Sequence, residues 1–190
     1  AGFGGRAGGV AHVAHQVTGG LFQTVACTEV DDQRYDKGTQ LFESMPRRYP
    51  TVEEMVEKET LEAVMIGTPN AFHLENLLSL KGCDLPVFLE KPLDSTWERI
   101  CEIVRFSEQY KGPIMVGHCM RYAPILQKAD ELVRQGQIGN VLSFRGVQNC
   151  HYGTTMFHNW RRRKDLSGTM WIEKATHDLD ILFALIQAKP

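Results

Sequence analysis

The stretch Gly2-Phe3-Gly4-Gly5-Arg6-Ala7 stands at the head of the chain and has the form G-x-G-x-x-(G/A). Glycines at those positions allow a tight turn and let backbone approach a pyrophosphate, whose charge is met by the N–H groups that open the following helix. Glycine-rich turns are common, so the motif needs context. A strand-like run over residues 22–28 (Phe-Gln-Thr-Val-Ala-Cys-Thr) follows and leads into Glu29. That acid lies about 20 residues beyond the glycines, where a carboxylate meets the ribose hydroxyls of NAD. The plain alternative is an exposed loop glutamate. On the dinucleotide reading Gly2, Phe3, Gly4, Gly5, Arg6 and Glu29 contact the cofactor, and the acid disfavours the 2′-phosphate of NADP. No strand precedes the glycines, so the chain as given is expected to start late.

Beyond the glycines, short apolar runs alternate with helical patterns. Residues 31–44 read as a polar helix, 63–67 (Ala-Val-Met-Ile-Gly) as a buried strand, and 71–81 as a helix with Leu74, Leu77 and Leu78 on one face. Residues 86–89 are a second buried strand. A helix over 96–110 follows, with Ser95 and Glu98 as a capping box and Ile100, Ile103, Val104 and Phe106 at helical spacing. Residues 113–118 are strand-like again. Short strands separated by helices specify βαβ units and a parallel sheet covered on both faces: an α/β, doubly wound Rossmann sheet.

The pattern changes near residue 120. Pro124 opens a helix with Ile125, Leu126, Ala129, Leu132 and Val133 on one stripe, and Gly136 closes it. Residues 140–149 alternate like a half-wet strand. Residues 151–168 form a polar loop carrying Trp160 and the basic run Arg161-Arg162-Arg163-Lys164, expected to be solvated, with Arg161 to Arg163 and Trp160 contacting a phosphate or stacking on a sugar as the alternative. A last helix covers 170–187. The expected division is a dinucleotide-binding domain over 1–120 and the start of a second, incomplete α/β domain over 121–190.

Composition removes several function classes. With 21 Lys+Arg against 23 Asp+Glu the net charge is −2, which argues against nucleic acid or an anionic membrane as partner. At 43% hydrophobic and 23% charged the chain is globular and not disordered. The longest apolar stretch, Ile181 to Ile186, falls far short of the roughly 18 residues of a membrane helix. Cys27, Cys83, Cys101, Cys119 and Cys150 are odd in number with no C-x-x-C pair, which fits reduced thiols in the cytoplasm better than disulfides or structural zinc. His12 and His15 share a helix face, but no third ligand stands nearby and no metal is expected.

Two strand ends carry chemistry. The run 63–67 leads into Thr68-Pro69-Asn70 and then His73; the run 86–89 ends in Glu90-Lys91-Pro92. Ligands of doubly wound sheets lie at the carboxyl ends of the strands. Lys91 there can reach a substrate oxygen, and a solvated Glu90–Lys91 pair is the alternative. On the last helix Ile172, Ala175, Thr176, Leu179, Leu182, Phe183 and Ile186 form an apolar stripe. At about 100° per residue Glu173, His177 and Asp180 fall within roughly 60° beside it. Either a pocket wall or a surface cluster satisfies that pattern.

In order along the chain, Gly2-x-Gly4-x-x-Ala7, Gly67-Thr68-Pro69-Asn70-x-x-His73, Glu90-Lys91-Pro92, Gly117-His118-x-x-Arg121-Tyr122-x-Pro124 and Glu173-x-x-x-His177-x-x-Asp180 resemble the motifs of the Gfo/Idh/MocA oxidoreductases. The resemblance implies an NAD(P)-binding Rossmann domain followed by an α/β domain whose open sheet makes homo-oligomers. It implies hydride transfer from a secondary alcohol of a sugar or cyclitol to NAD, with NADP less favoured. Lys91, Glu173 and His177 would be catalytic. Thr68, Pro69, Asn70, His73, Glu90 and Lys91 would line the cofactor. The family motif usually has Asp four residues before the late histidine and Gly two before it, where this chain has Glu173 and Ala175. Family members are also far longer, so a fragment truncated at both ends is expected. A glycosidase using transient oxidation by NAD, and a non-catalytic NAD-binding protein, stay open beside the dehydrogenase.

Overall fold

The computed structural model describes residues 1–42, 44–147, 149 and 159–186. Among the described residues five short strands run parallel. β1 (Ala26–Thr28) pairs with β2 (Arg47–Tyr49), and β3 (Val64–Ile66), β4 (Val87–Leu89) and β5 (Ile114–Val116) pair in that order. Ala1 and Gly2 sit between the two ladders. The Ala1 nitrogen donates to the Met65 carbonyl, Gly67 N–H donates to Ala1 O at 2.9 Å, and Gly2 N–H donates to Thr28 O at 2.9 Å. The sheet therefore reads β2-β1-(Ala1–Gly2)-β3-β4-β5. The chain leaves the centre toward one edge and returns to build the other, so the order reverses beside the glycine loop, the crevice where doubly wound folds take ligands.

In β3 and β4 the residues Val64, Ile66, Val87 and Leu89 are buried, and Met65 and Phe88 on the other face are half-covered, which is why these strands are unbroken apolar runs. Leu74, Leu77 and Leu80 from the α4 region and Ile103 from α5 join the same core. The covering helices are α1 (Arg6–Val17), α2 (Asp32–Thr39), α3 (Val52–Lys58), α4 (His73–Leu78, entered through a tight turn at Asn70–Phe72) and α5 (Trp97–Gln109). Helix α1 lies close on the sheet because a Cβ at Gly67 would come within 2.8 Å of Ala7 Cβ. Gly67 thus makes room for the alanine that fills the third glycine place of the fingerprint.

Several expectations need correction. Thr96, not Ser95, caps α5, accepting from Arg99 N–H, because the Ser95 N–H and hydroxyl are engaged by the buried Asp94 carboxylate at 2.7 and 3.2 Å. Only the last three residues of the run 22–28 are strand, and the polar helix stops at Thr39. The edge strand β2, Arg47-Arg48-Tyr49, carries no apolar pattern and was illegible in the sequence; α3 after it announces itself only through Thr51, whose side chain accepts from Glu54 N–H at 3.2 Å. Described residues between 140 and 149 form no strand, since none of them finds a neighbouring strand to pair with.

The later elements are α6 (Pro124–Arg134), a turn at Trp160–Arg162, α7 (Lys164–Ser167), a wide i→i+5 turn at Trp171–Ala175, and α8 (Thr176–Ile186) that continues it. Part of the expected loop 151–168, residues 151–158, lies outside the described residues. Helix α8 packs on α6 and on the tight turn Cys119–Tyr122, and α7 packs on the turn Asn70–Phe72. The expected apolar stripe is largely not a buried face: on α8 only Ile181 is buried and Leu179 is 49% exposed. No described helix is long and apolar enough to cross a membrane.

Candidate active site

Glycine Gly5 enters α1 with φ +57°, a backbone region that suits glycine, and no side chain caps the helix. The first turn holds no acid, and the space that a Gly5 side chain would take is open. The N–H groups of this turn and the partial positive charge of a helix N-terminus therefore face a clear anion site. Glu29 Oε2 accepts from Phe3 N–H at 3.1 Å and Gly4 N–H at 3.0 Å, while Oε1 accepts from Val30 N–H at 3.0 Å and Asp31 N–H at 3.2 Å. A single carboxylate thus shapes the glycine loop from below. Arg6, the first residue of α1, reaches across to the buried Glu90 at 3.0 Å. These residues fit a dinucleotide at the switch point of the sheet.

The residues after β3 and β4 build the floor. His73 is buried, its Nε2 facing Thr68 O at 3.0 Å and its Nδ1 facing Pro92 O at 3.0 Å. Burial lowers its pKa, so the neutral ring donates to one of these carbonyls and packs between the Thr68-Pro69 and Lys91-Pro92 loops. Asn70, also buried, donates to Ser167 O at 2.8 Å and to Glu173 Oε2 at 2.9 Å. Pro69 closes the turn, its carbonyl accepting from Phe72 N–H at 2.9 Å. Asn70 thus bridges to the later helices, and His73 lies between two loops.

Lys91 extends from the end of β4 to that helix. Its Nζ donates to Glu173 O at 2.7 Å and lies 3.4 Å from Glu173 Oε1. Burial lowers the Lys91 pKa, and the Glu173 carboxylate opposes part of that shift. Arg161, stacked on Trp160 with 4.6 Å from guanidinium carbon to ring centroid, also reaches Glu173 Oε1 at 3.4 Å. The basic run is therefore not wholly solvated: its first arginine turns inward.

The expected Glu173-His177-Asp180 arc is split in two. The wide turn at Trp171–Ala175 advances less per residue than an α-helix, so the 100° step fails across it. Glu173 faces Lys91, Asn70 and Arg161, and does not orient His177. His177 lies edge-on to His118 with ring centroids 5.9 Å apart. Asp180 takes both donors of Arg121, at 2.7 and 2.6 Å, and stands 3.9 Å from His118 Nδ1. Among the described residues neither His118 Nδ1 nor His177 Nδ1 has a hydrogen-bond partner. Burial, then the Lys91 charge, lowers the His177 pKa to about 4. His118 is lowered as well, mainly by burial. The site thus pairs a neutral imidazole with an ammonium, the two groups that general-base removal of a hydroxyl proton and stabilisation of the resulting oxygen charge require.

Sequence reasoning missed the place of His118 beside His177; its signal was the Gly117-His118-x-x-Arg121 string, whose arginine partner turned out to be Asp180. It also missed Asp94, buried under α5, which accepts from Leu74 N–H at 3.1 Å and Arg99 Nε at 2.7 Å and braces the floor. Elsewhere, His15 Nδ1 contacts Phe22 O at 2.8 Å and His12 lies edge-on to Phe42. Among the described residues no three His, Cys, Asp or Glu side chains cluster as a metal site.

Comparison with known proteins agrees with this fold. A 2,7-anhydro-N-acetylneuraminate hydratase of Mediterraneibacter gnavus is 27% identical over 139 residues, 73% of this chain and 37% of that protein. The crystal structure of myo-inositol 2-dehydrogenase from Lactobacillus plantarum superposes with a TM-score of 0.82 at 22% identity, covering 96% of this chain and 54% of that one. Scyllo-inositol dehydrogenase from Lactobacillus casei, solved with bound NAD(H) and scyllo-inositol, gives 0.76 at 24% identity, covering 96% and 54%. The chain thus spans little more than half of its solved relatives and under half of the curated one. Residues 2–118 match the family model described as an oxidoreductase family with an NAD-binding Rossmann fold, and residues 126–190 match the GFO/IDH/MocA C-terminal domain. The protein belongs to the Gfo/Idh/MocA family of NAD-binding oxidoreductases.

Proposed function

We propose that the whole protein oxidises a secondary alcohol of a sugar or cyclitol, with His177 as base and Lys91 as the donor that holds the reacting oxygen. The observation that carries this reading is the meeting of Lys91, from the end of β4, with the helix that bears His177. NAD, when bound at the glycine loop, supplies the hydride acceptor. His177, kept neutral by burial, accepts the hydroxyl proton. Lys91 donates a hydrogen bond to the same oxygen and stabilises its growing negative charge. Glu173 keeps the lysine charged and aimed. Glu29 binds the adenosine ribose and disfavours a 2′-phosphate, and a domain boundary falls near residue 120.

The inositol dehydrogenases among the solved relatives support this reading. A second reading has NAD oxidise its substrate only transiently, so that no net NADH forms; it is favoured by the relative named for hydration. One experiment separates them. Full-length protein is mixed with NAD and a panel of sugars and inositols while absorbance at the NADH band and substrate loss are followed together. Net NADH supports the dehydrogenase, substrate loss without NADH supports the second reading, and neither with intact NAD binding leaves a non-catalytic binder.

A further inference from the structure

Ion pairs at the site leave its charges out of balance. Arg6 is matched by Glu90, and Arg121 by Asp180. Two cations, Lys91 and Arg161, share the single carboxylate of Glu173, and Lys174 follows it in the chain. Glu173 is buried and already accepts from Asn70 as well. Lys174 is half-buried and has no hydrogen bond or ion pair among the described residues. It stands near the end of the wide turn that leads into the helix bearing His177. Its charge is felt at both Lys91 and His177, lowering each.

Arg161 supplies the shape. Its Nε points to Glu173, whereas its two terminal nitrogens donate to no described residue, and its side chain is 26% exposed. The Trp160 ring fixes the guanidinium plane. A guanidinium held by one edge, with a second edge open, presents the paired donors that bind a carboxylate or phosphate bidentately. A half-buried cation without counter-ion is costly, and an incoming anion offsets that cost.

We infer that the substrate of this site is an anionic sugar or cyclitol, whose carboxylate or phosphate is held by the open edge of Arg161 and by Lys174, beside the hydroxyl presented to Lys91 and His177. The inference rests on the dehydrogenase reading, and it adds a charge to the substrate. Neither Arg161 nor Lys174 is a reacting group here; both are specificity residues.

The test uses full-length protein saturated with NADH, so that cofactor phosphates do not compete. Calorimetric titration compares hexoses and inositols with the matching uronic acids and monophosphates. The expected result is at least tenfold tighter binding of an anionic member than of its neutral parent, shrinking in high salt. Tightest binding by a uronic acid identifies carboxylate as the group; tightest binding by a monophosphate identifies phosphate. Arg161→Gln and Lys174→Gln, made separately, should each reduce the ratio of anionic to neutral affinity, and either variant suffices if the other fails to fold. Neutral parents binding as tightly as their acids, or no anion binding at all, overturns the inference. Failure of the dehydrogenase reading looks different: NADH does not bind, or bound anions are never oxidised.

Discussion

The Lys91 ammonium lies 2.7 Å from the Glu173 carbonyl oxygen and 3.4 Å from its carboxylate, joining residues 82 apart in sequence. The pair is nearly closed to solvent, with side-chain exposures of 13% and 5%. Burial pulls the lysine pKa down and Glu173 holds it up. In Glu173→Gln the opposing influence is lost, so Lys91 should release its proton at lower pH. The alkaline limb of the kcat–pH profile should move to lower pH, and an unmoved limb would separate Lys91 from that limb.

Changing the reacting groups themselves should be costlier. Lys91→Ala and His177→Ala are each expected to lower kcat by about 10²-fold or more, the usual scale for an acid–base group. NAD affinity, read by fluorescence titration, should hardly change. Turnover within threefold of the parent in a folded variant would return both residues to a structural role.

The pH profile should also differ from what an ordinary histidine gives. An unperturbed imidazole ionises near 6.5; burial first, and then the Lys91 charge, lower that of His177 to about 4. The acid limb of kcat/KM should accordingly lie near pH 4. The same shift links to stability. Between the usual value of 6.5 and about 4 the unfolded chain binds a proton that the folded chain resists, so stability falls as pH drops through that window. With partial exposure discounted, the loss is on the order of 1 kcal/mol. Urea midpoints at pH 7 and 4.5 should diverge more for the parent than for His177→Asn.

Glu29 has two duties that one substitution should expose. It organises the glycine loop through two backbone donors, Phe3 and Gly4, holds two more after β1, and is assigned the ribose. Glu29→Ala should weaken NAD binding by about tenfold or more, erase the preference of NAD over NADP, and lower the melting temperature, since charge-assisted bonds to backbone are lost. Equal binding of both cofactors by the unaltered protein would remove the ribose role and leave the structural one.

Helix α1 offers a test of packing alone. Gly67→Ala would drive a methyl to 2.8 Å from Ala7 Cβ, and overpacking of that kind costs about 1–3 kcal/mol. Adding Ala7→Gly should recover part of the loss, even though glycine inside a helix itself costs roughly 1 kcal/mol. Denaturation of the single and double variants measures the coupling.

Where local pattern and burial coincide, the sequence was a good guide. Val64-Met65-Ile66 and Val87-Phe88-Leu89 are apolar because helices cover both faces, and they read as buried strands. Pro124 and Gly136 bracket α6 through their own backbone preferences. Arg47-Arg48-Tyr49 is strand only because β1 lies beside it, and no local pattern carries that information. Ser95 satisfies the capping rule on paper, yet Asp94, adjacent and wholly buried, claims its hydroxyl. The late helix shows the limit most clearly: a wheel drawn at constant pitch grouped Glu173 with His177 and Asp180, whereas the wide turn sends them to different neighbours. Which lysine or arginine meets Glu173 was a matter of long-range docking, invisible to spacing.

The Glu173 carboxylate has a mechanical meaning as well. Through Asn70 and Lys91 it grips two loops of the sheet, and Ser167 holds Asn70 from the same side. Separating the later helices from the sheet would have to break these bonds together, and removing either charge by substitution while the site stays closed costs about 3–5 kcal/mol. The two loops and the later helices are thereby fastened to one another at a single residue. Lys91 is therefore held by both the carbonyl and the carboxylate of one residue of the later helices.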